Sequence, residues 1–250
     1  MTFCRLGIGA LLIGIVMGGA PQASAHLKDY LVNEYYYTTK RGEFEVAMWN
    51  AMNFTEADND DSYNSQHQLE LEYGVCDHFQ LAYYEIYTWN RAKDWERDTF
   101  NIEAKLRFAQ AGQWPVDVAL YTEYKNPDGH RQIRSDEIEN KVILSRDFGP
   151  VNLVGNFIFE RKINAHEDWQ FEYTAGVSYG MTSRVRLGLE LKQSLGSDED
   201  FRFRRERELV LVPGIYASLT PHVRVLAGPA FGLTRESDDF ALKSIVEVEF

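Results

Sequence analysis

Apolar and polar residues alternate with a period of two along most of the chain. Residues 184–192 read RVRLGLELK, with an apolar side chain at every second position, and residues 99–109, TFNIEAKLRFA, repeat the pattern. Successive side chains of a strand point to opposite faces, so each such segment predicts a β-strand with one apolar and one polar face. A helix would bring charges into the apolar stripe, which excludes a helical interpretation.

Twelve strands are predicted, and the connections between them are alternately short and long. Tight turns such as residues 147–150 alternate with longer segments such as residues 195–206. This asymmetry is typical of transmembrane barrels, and most predicted strands have roughly the ten residues that cross a bilayer at a tilt. The predicted strands are 43–54, 65–74, 78–89, 99–109, 115–124, 137–146, 151–161, 169–179, 184–194, 207–218, 222–233 and 240–250.

The predicted fold class is all-β, a transmembrane antiparallel up-and-down β-barrel of about 12 strands. A soluble β-sandwich or lipocalin-like barrel is the alternative, in which the apolar faces form a core and the charged faces meet water. Aromatic residues near both ends of the strands favour the membrane barrel, because aromatic girdles mark the two membrane interfaces. The even strand count places both ends of the barrel domain on the periplasmic side.

The first 25 residues have the features of a Sec-type signal peptide. Arg5 is followed by an apolar run over residues 6–20 and by Ala23-Ser24-Ala25, which predicts cleavage after Ala25. The apolar run is shorter than the roughly 20 residues of a membrane-spanning helix. The predicted domains are a signal peptide (1–25), a periplasmic lead-in that can enter the lumen as a partial plug (26–42), and an outer-membrane barrel (43–250).

The end of the chain, SIVEVEF (244–250), is an alternating strand that stops on an aromatic residue. Together with the signal peptide and the two-faced strands, it resembles the Gram-negative outer-membrane β-barrel class. The resemblance implies a location in the outer membrane, in contact with its lipid and lipopolysaccharide. It also implies that Val246, Val248 and Phe250 form a C-terminal signal recognised by the barrel-assembly machinery.

Two shorter stretches carry a narrower resemblance. Residues 33–54, NEYYYTTKRGEFEVAMWNAMNF, and 72–87, EYGVCDHFQLAYYEIY, resemble uncharacterised barrels grouped around the MetA-pathway phenol-degradation family. Arg41 is inserted where that family usually has lysine followed directly by glycine. The resemblance implies a transporter-like barrel and defines no substrate.

The polar strand faces supply the residues predicted to line the lumen. Barrels of about eight strands are filled by side chains and those of about sixteen hold water, so a barrel of twelve lies between these cases. The lumen is then either closed by salt bridges or a narrow pore in which the excess of acidic residues favours cations. The predicted lining residues are Glu70, Glu72, Glu103, Lys105, Arg107, Asp117, Glu172, Arg184, Arg186, Glu190, Arg224 and Glu247.

Composition narrows the range of partners. The formal net charge of −12 at pH 7 argues against nucleic acid, since phosphate binding needs clustered basic residues. Residues 26–250 contain one cysteine, Cys76, which excludes an internal disulfide after cleavage. The predicted function is a narrow passive channel or transporter-like protein for a small solute or ion, with an acidic, mixed-charge lumen. A closed structural or surface-binding barrel is the alternative.

A lipid-modifying hydrolase is the third possibility, and we expect a non-enzyme with no cofactor. Ser65 and His67 share a strand face near the extracellular rim, but no orienting acid or oxyanion donor is evident, which favours an interfacial histidine. Cleavage would leave His26 at the N-terminus, where it can chelate copper, and the acidic loop 55–64 can hold calcium. Chance and a solvated loop are the favoured explanations of these two features.

Overall fold

The computed structural model describes residues 29–54, 63–90, 93–127, 135–163, 168–201 and 207–250, and these form twelve antiparallel strands. Neighbours in sequence pair with one another, and the last strand pairs with the first to close a barrel. The strands are β1 (Phe44–Phe54), β2 (Tyr63–Cys76), β3 (Phe79–Asn90), β4 (Lys93–Arg107), β5 (Asp117–Pro127), β6 (Glu137–Phe148), β7 (Val151–Lys162), β8 (Gln170–Gly180), β9 (Val185–Ser197), β10 (Leu209–Ser218), β11 (Val223–Gly232) and β12 (Phe240–Glu249). The predicted all-β, up-and-down barrel of about 12 strands is confirmed.

Strand boundaries differ from the prediction mainly around β4. This strand begins at Lys93, six residues before the predicted start at Thr99, because its pairing with β3 continues to Asn90 through two register shifts. The residues added at its start are mostly charged, so they hide the alternation. The connection from β4 to β5, residues 108–116, is longer than the predicted tight turn.

Closure of the barrel depends on the pairing of β1 with β12. Val46 lies opposite Val248 and Glu45 lies opposite Glu249, and the pairing continues to Phe44 and Phe250 at the end where β1 begins. There the Phe44 N–H donates to the Phe250 carbonyl at 3.3 Å, and the Phe250 N–H donates to the Phe44 carbonyl at 2.8 Å. A closed sheet leaves no edge unpaired, which a hydrocarbon environment requires. We call this the turn end of the barrel and the opposite end the loop end.

The two faces of the wall differ in polarity. On β2, Leu69 and Leu71 are exposed on the outer surface, whereas Glu70 and Glu72 are buried in the interior. This arrangement inverts that of a soluble barrel, because the large apolar side chains point outwards and the carboxylates point inwards. It matches a barrel surrounded by lipid and argues against the soluble alternative. In the part of the chain that the model describes, no helix is long and apolar enough to cross a membrane.

Candidate functional site: the lumen and its inner segment

Residues 29–40, which we call the inner segment, lie inside the barrel rather than outside it. Tyr30, Leu31 and Tyr36 are buried and belong to one apolar cluster with inward-facing residues of the wall, among them Tyr216 and Ile245. The segment joins β1 through Gly42, whose φ of 81° permits the sharp turn into the first strand. The lumen is therefore occupied by a stretch of the chain's own backbone.

One carboxylate in the wall holds the centre of the inner segment. The backbone N–H groups of Leu31, Val32 and Asn33 donate to Glu190 at 2.7, 2.9 and 2.9 Å, and the Asn33 side-chain amide adds a bond of 2.9 Å. The Tyr216 hydroxyl also donates to this carboxylate, at 2.8 Å. Hydrogen bonds to an ionised acceptor are stronger than neutral ones, so Glu190 is the main polar anchor of the segment.

The backbone of the segment is shaped for this contact. Tyr30 has a φ of 93°, a left-handed conformation that residues other than glycine rarely adopt. Consecutive N–H groups after such a residue can converge on one anion. The Tyr30 hydroxyl donates to the Asn152 side-chain oxygen at 2.5 Å, which fixes the residue in place.

Glu34 is held on both its backbone and its side chain. Its N–H donates to Asn156 Oδ1 at 2.6 Å, and Asn156 Nδ2 donates back to its carbonyl at 2.9 Å. Its carboxylate pairs with Lys105 Nζ at 2.6 Å, and the Lys105 side chain is fully buried. The same ammonium lies 3.9 Å from the centroid of the Tyr35 ring. A lysine in the lumen is thus neutralised by the segment rather than by the wall alone.

The end of the inner segment nearest β1 lies against β2 and β3. Thr39 donates through its N–H to Gln80 Oε1 at 2.9 Å and through its hydroxyl to Glu72 Oε2 at 2.7 Å. Gly74 allows this close approach, because a Cβ added there would lie 1.9 Å from the Lys40 carbonyl oxygen. The glycine is therefore required by the neighbouring backbone and not by its own conformation.

Asp29, the first described residue, contacts β8 and β9. Arg186 Nε and the Ser178 hydroxyl each donate to its Oδ2 at 2.5 Å. Burial raises the pKa of the Asp29 carboxyl to about 6, although Arg186 and Ser178 act in the opposite direction. The segment is thus held by wall contacts at its start, centre and end.

The residues predicted to line the lumen lie on seven different strands, apart from Arg184, which lies in a turn. Glu70 accepts a hydrogen bond from the Trp49 indole, and Arg224 pairs with Glu45 at 2.8 Å and with Glu247 at 3.0 Å. Most of the set is buried in the interior: Glu70, Glu72, Glu103, Lys105, Arg107, Asp117, Glu190, Arg224 and Glu247. Glu172 and Arg186 are partly buried, and Arg184 is exposed in the turn before β9.

Arg184 departs from the prediction because the alternation extends past the strand. Residues 181–184 form the turn between β8 and β9. The alternation of strand side chains that places Arg186 in the interior therefore does not extend to Arg184. The sequence reasoning also missed Asn152, Asn156 and Gln80, which hold the inner segment. These residues have uncharged polar side chains on inward positions, so the pattern of charges did not mark them.

The loop end of the lumen contains a separate group of charges. Lys125 pairs with Glu139 at 2.7 Å and also with Glu160, and Lys141 pairs with Glu139 at 2.9 Å. A cavity of about 80 Å³ is lined by Leu31 of the inner segment and by wall residues of β1, β2 and β12: Trp49, Asn50, Ala51, Gln66, Gln68, Lys243, Ser244 and Ile245. The inner segment therefore contributes to the lining of this cavity through Leu31.

Several sequence predictions fall on other parts of the chain. The signal peptide (1–25), His26 and residues 55–62 of the acidic loop lie outside the described residues. Within the ranges that are described, no group of three or more histidine, cysteine or carboxylate side chains is placed to hold a metal ion.

A closed twelve-stranded barrel with an apolar outer surface and a polar interior defines the class of outer-membrane β-barrels. Solved structures of this class are similar to the chain. An outer membrane channel from Pseudomonas putida F1 matches with a TM-score of 0.63 at 12% identity, over 86% of this chain and 98% of that one. The KdgM porin matches with a TM-score of 0.57 at 8% identity, over 82% and 98%.

The NanC porin matches with a TM-score of 0.54 at 12% identity, over 83% of this chain and 98% of that one. These identities are low, so the similarity establishes the fold. The sequence matches no protein-family model and no curated protein. The class resemblance is thus confirmed, and the narrower resemblance to the MetA-pathway family gains no support.

Proposed function

We propose that the protein is a small passive channel of the outer membrane whose lumen is closed by its inner segment and conducts when that segment leaves. The observation that carries the proposal is the set of hydrogen bonds between Glu190 and the backbone of Leu31, Val32 and Asn33. They join a stretch of chain that is not part of the wall to a wall residue in the interior.

The polar character of the contacts between the inner segment and the wall supports a closure of the lumen that can be removed. The hydrogen bonds that the segment donates to Asn152, Asn156 and Glu72 are polar, so water can replace each of them when the segment moves. A twelve-stranded wall is wider than one that its own side chains fill. The inner segment occupies the extra space, and its removal would leave an aqueous passage.

The charge of the wall bears on what the channel would pass. The carboxylates of Glu72 and Glu190 would lose their donors in the segment and face water in the open state, and the Lys105 ammonium would lose its acceptor, Glu34, and face water as well. Acidic residues outnumber basic ones among the predicted lining residues, so we expect a preference for small cations over anions.

Conductance of the refolded protein in planar bilayers tests the proposal. The chain from residue 26 onwards should be mostly silent with brief openings, whereas a chain lacking residues 26–40 should conduct steadily. A salt gradient across the same membrane should give a reversal potential of the sign expected for cations. Heat-modifiable migration on gels verifies that both chains form barrels. The chain from residue 26 onwards serves as the matched control.

A closed structural or surface-binding barrel is the competing function. The salt bridges of Lys125 and Lys141 with Glu139 favour it, because they join the neighbouring strands β5 and β6 at the loop end and involve no residue of the inner segment. Under that function, the folded chain without residues 26–40 would remain silent at high protein loading. Such a result would overturn the channel proposal.

A further inference from the structure

A row of polar side chains crosses the apolar outer wall near the loop end of β1, β2 and β12. Ser65 and His67 are two residues apart on β2, and both share the outward face of the exposed Leu69. Asn50 lies directly opposite His67 in the β1–β2 ladder, and Ser244 lies opposite Asn50 in the β1–β12 ladder. Three neighbouring strands thus bring four polar groups together on a surface that faces lipid.

These groups form one directed chain of hydrogen bonds. Asn50 Nδ2 donates to the Ser244 hydroxyl at 3.5 Å, which turns the amide oxygen of Asn50 towards His67. His67 Nδ1 lies 2.8 Å from that oxygen, so Nδ1 carries the ring proton. His67 Nε2 is then the acceptor, and the Ser65 hydroxyl lies 3.1 Å from it.

We propose that Ser65, His67 and Asn50 form a serine hydrolase site for the acyl esters of membrane lipids. Ser65 is the nucleophile, His67 is the general base, and Asn50 is a positioning residue that fixes the tautomer of His67. A nucleophile bonded to a base that is itself oriented by a third group is the arrangement used in acyl transfer on unrelated folds. This proposal is independent of the channel function, since all three side chains lie on the opposite face of the wall from the lumen.

The location suits this class of substrate. Ser65 is the third residue of β2 counted from the loop end, so it lies near the level where lipid acyl esters meet the headgroups. The Trp95 ring is centred 4.8 Å from the His67 ring and is 60% exposed, whereas Ser65 is only 4% exposed. A lipid must therefore displace a neighbouring side chain to reach the hydroxyl, and the exposed Trp95 ring beside His67 is the neighbour whose displacement we test.

The reaction is a hydrolysis that needs only water as co-reactant. Ser65 Oγ attacks the ester carbonyl while its proton passes to His67 Nε2, and the C–O bond to the alcohol breaks as that proton moves to the leaving oxygen. Water then attacks the acyl carbon while His67 takes one of its protons, and His67 returns that proton to Ser65 Oγ as the bond between Oγ and the acyl carbon breaks. The fatty acid leaves and the Ser65 hydroxyl is restored.

The first test is covalent labelling of Ser65 in the refolded full-length barrel. A fluorophosphonate probe should form an adduct with Ser65, with fluoride as the leaving group, and Ser65→Ala should abolish it. Ser183→Ala is the matched control, because Ser183 is exposed in the turn before β9 and lies far from this row. His67→Gln should slow labelling by about 10²–10⁴-fold, the usual contribution of a general base.

The second test separates positioning by Asn50 from a purely structural role. Asn50→Ala should slow labelling and change its pH profile, because His67 loses the acceptor that fixes its tautomer, whereas Asn50→Asp should restore much of the rate. Trp95→Ala should speed labelling by uncovering the hydroxyl. Each variant is first shown to migrate as a closed, heat-modifiable barrel, so that misfolding is excluded.

The third test identifies the lipid. The barrel is placed in vesicles of a diester phosphatidylethanolamine or in lipopolysaccharide, and Ser65-dependent release of fatty acid is measured; an ether-linked lipid is the control. Release from one source assigns that substrate, and release from both assigns the shared ester chemistry. Absence of Ser65-dependent release from both sources, or labelling that His67→Gln leaves unchanged, would overturn the proposal.

Discussion

Asn33 binds Glu190 through two groups at once: its backbone N–H and its side-chain amide both donate to Oε2 at 2.9 Å. The two residues are 157 positions apart in sequence, and one belongs to the inner segment whereas the other belongs to β9. Their contact fixes a short stretch of chain inside a closed wall by polar bonds. Under the proposed channel function, the open probability should therefore depend on how firmly the segment is held.

The buried pair of Glu34 and Lys105 should couple the segment to the wall. Glu34→Gln would leave the fully buried Lys105 ammonium without the carboxylate that lies 2.6 Å away, and breaking such a pair typically costs about 3–5 kcal/mol. We expect protease to cut the segment faster in this variant. Adding Lys105→Met should restore much of the protection, and a double-mutant cycle measures the coupling. Equal cutting rates in all four proteins would contradict the assignment.

Gly74 should be needed for the segment to enter the barrel beside β2. Gly74→Ala would place a methyl group 1.9 Å from the Lys40 carbonyl oxygen, a contact that only a shift of the backbone can relieve. We expect longer openings in bilayer recordings. Gly155→Ala is the matched control, because its nearest contact would be an ordinary 3.8 Å. Recordings in which the two variants behave alike would argue against this role.

Closure by the segment should respond to pH through Asp29. Burial raises the pKa of its carboxyl from 3.8 to about 6 in the bound segment, so the bound state takes up a proton. Binding of the segment is then favoured most below pH 3.8, and this gain is lost as the pH rises through about 6. Open probability should be lower at pH 5 than at pH 7.5.

Asp29→Asn should reduce this difference in open probability between pH 5 and pH 7.5, because the amide cannot titrate. Arg186, Ser178 and Asp147 also influence the Asp29 carboxyl, and none of them is changed in the variant. Recordings at the two pH values measure the difference directly. A difference of the same size in the variant would show that other groups cause the pH dependence.

Deletion of Phe250 should impair assembly of the barrel. The residue exchanges two backbone hydrogen bonds with Phe44, at 3.3 and 2.8 Å, and its side chain is 71% exposed at the turn end. The class resemblance implies that Val246, Val248 and Phe250 are recognised by the assembly machinery. Outer-membrane levels should fall well below those of a variant shortened in a loop, and normal levels would contradict the prediction.

The twelve strands could be predicted from sequence because a period of two is local information. The start of β4 could not, since Asp94, Glu96 and Asp98 break the contrast between its two faces. The prediction places Arg184 in the lumen, because alternation alone does not show where a strand stops and a turn begins.

The closure of the lumen depends on contacts that no local pattern contains. Leu31 and Glu190 are 159 residues apart, and the inner segment has no alternation of its own to indicate where it binds. Part of the proposed hydrolase site could be predicted from sequence, because Ser65 and His67 are two residues apart on one strand. Asn50 could not be predicted as the third residue, because only the register of β1 and β2 places it opposite His67.

The conductance of Glu190→Gln is the most direct test that a removable segment closes the channel. The amide keeps the shape of the side chain but removes the charge that accepts the bonds from Leu31, Val32 and Asn33. Glu172→Gln is the control, because Glu172 pairs with Lys192 in the wall. We expect the open probability of Glu190→Gln to rise at least about 10-fold, the effect of 1.4 kcal/mol, over both the control and the unmodified chain. A folded Glu190→Gln barrel that stays as silent as the unmodified chain would contradict the account.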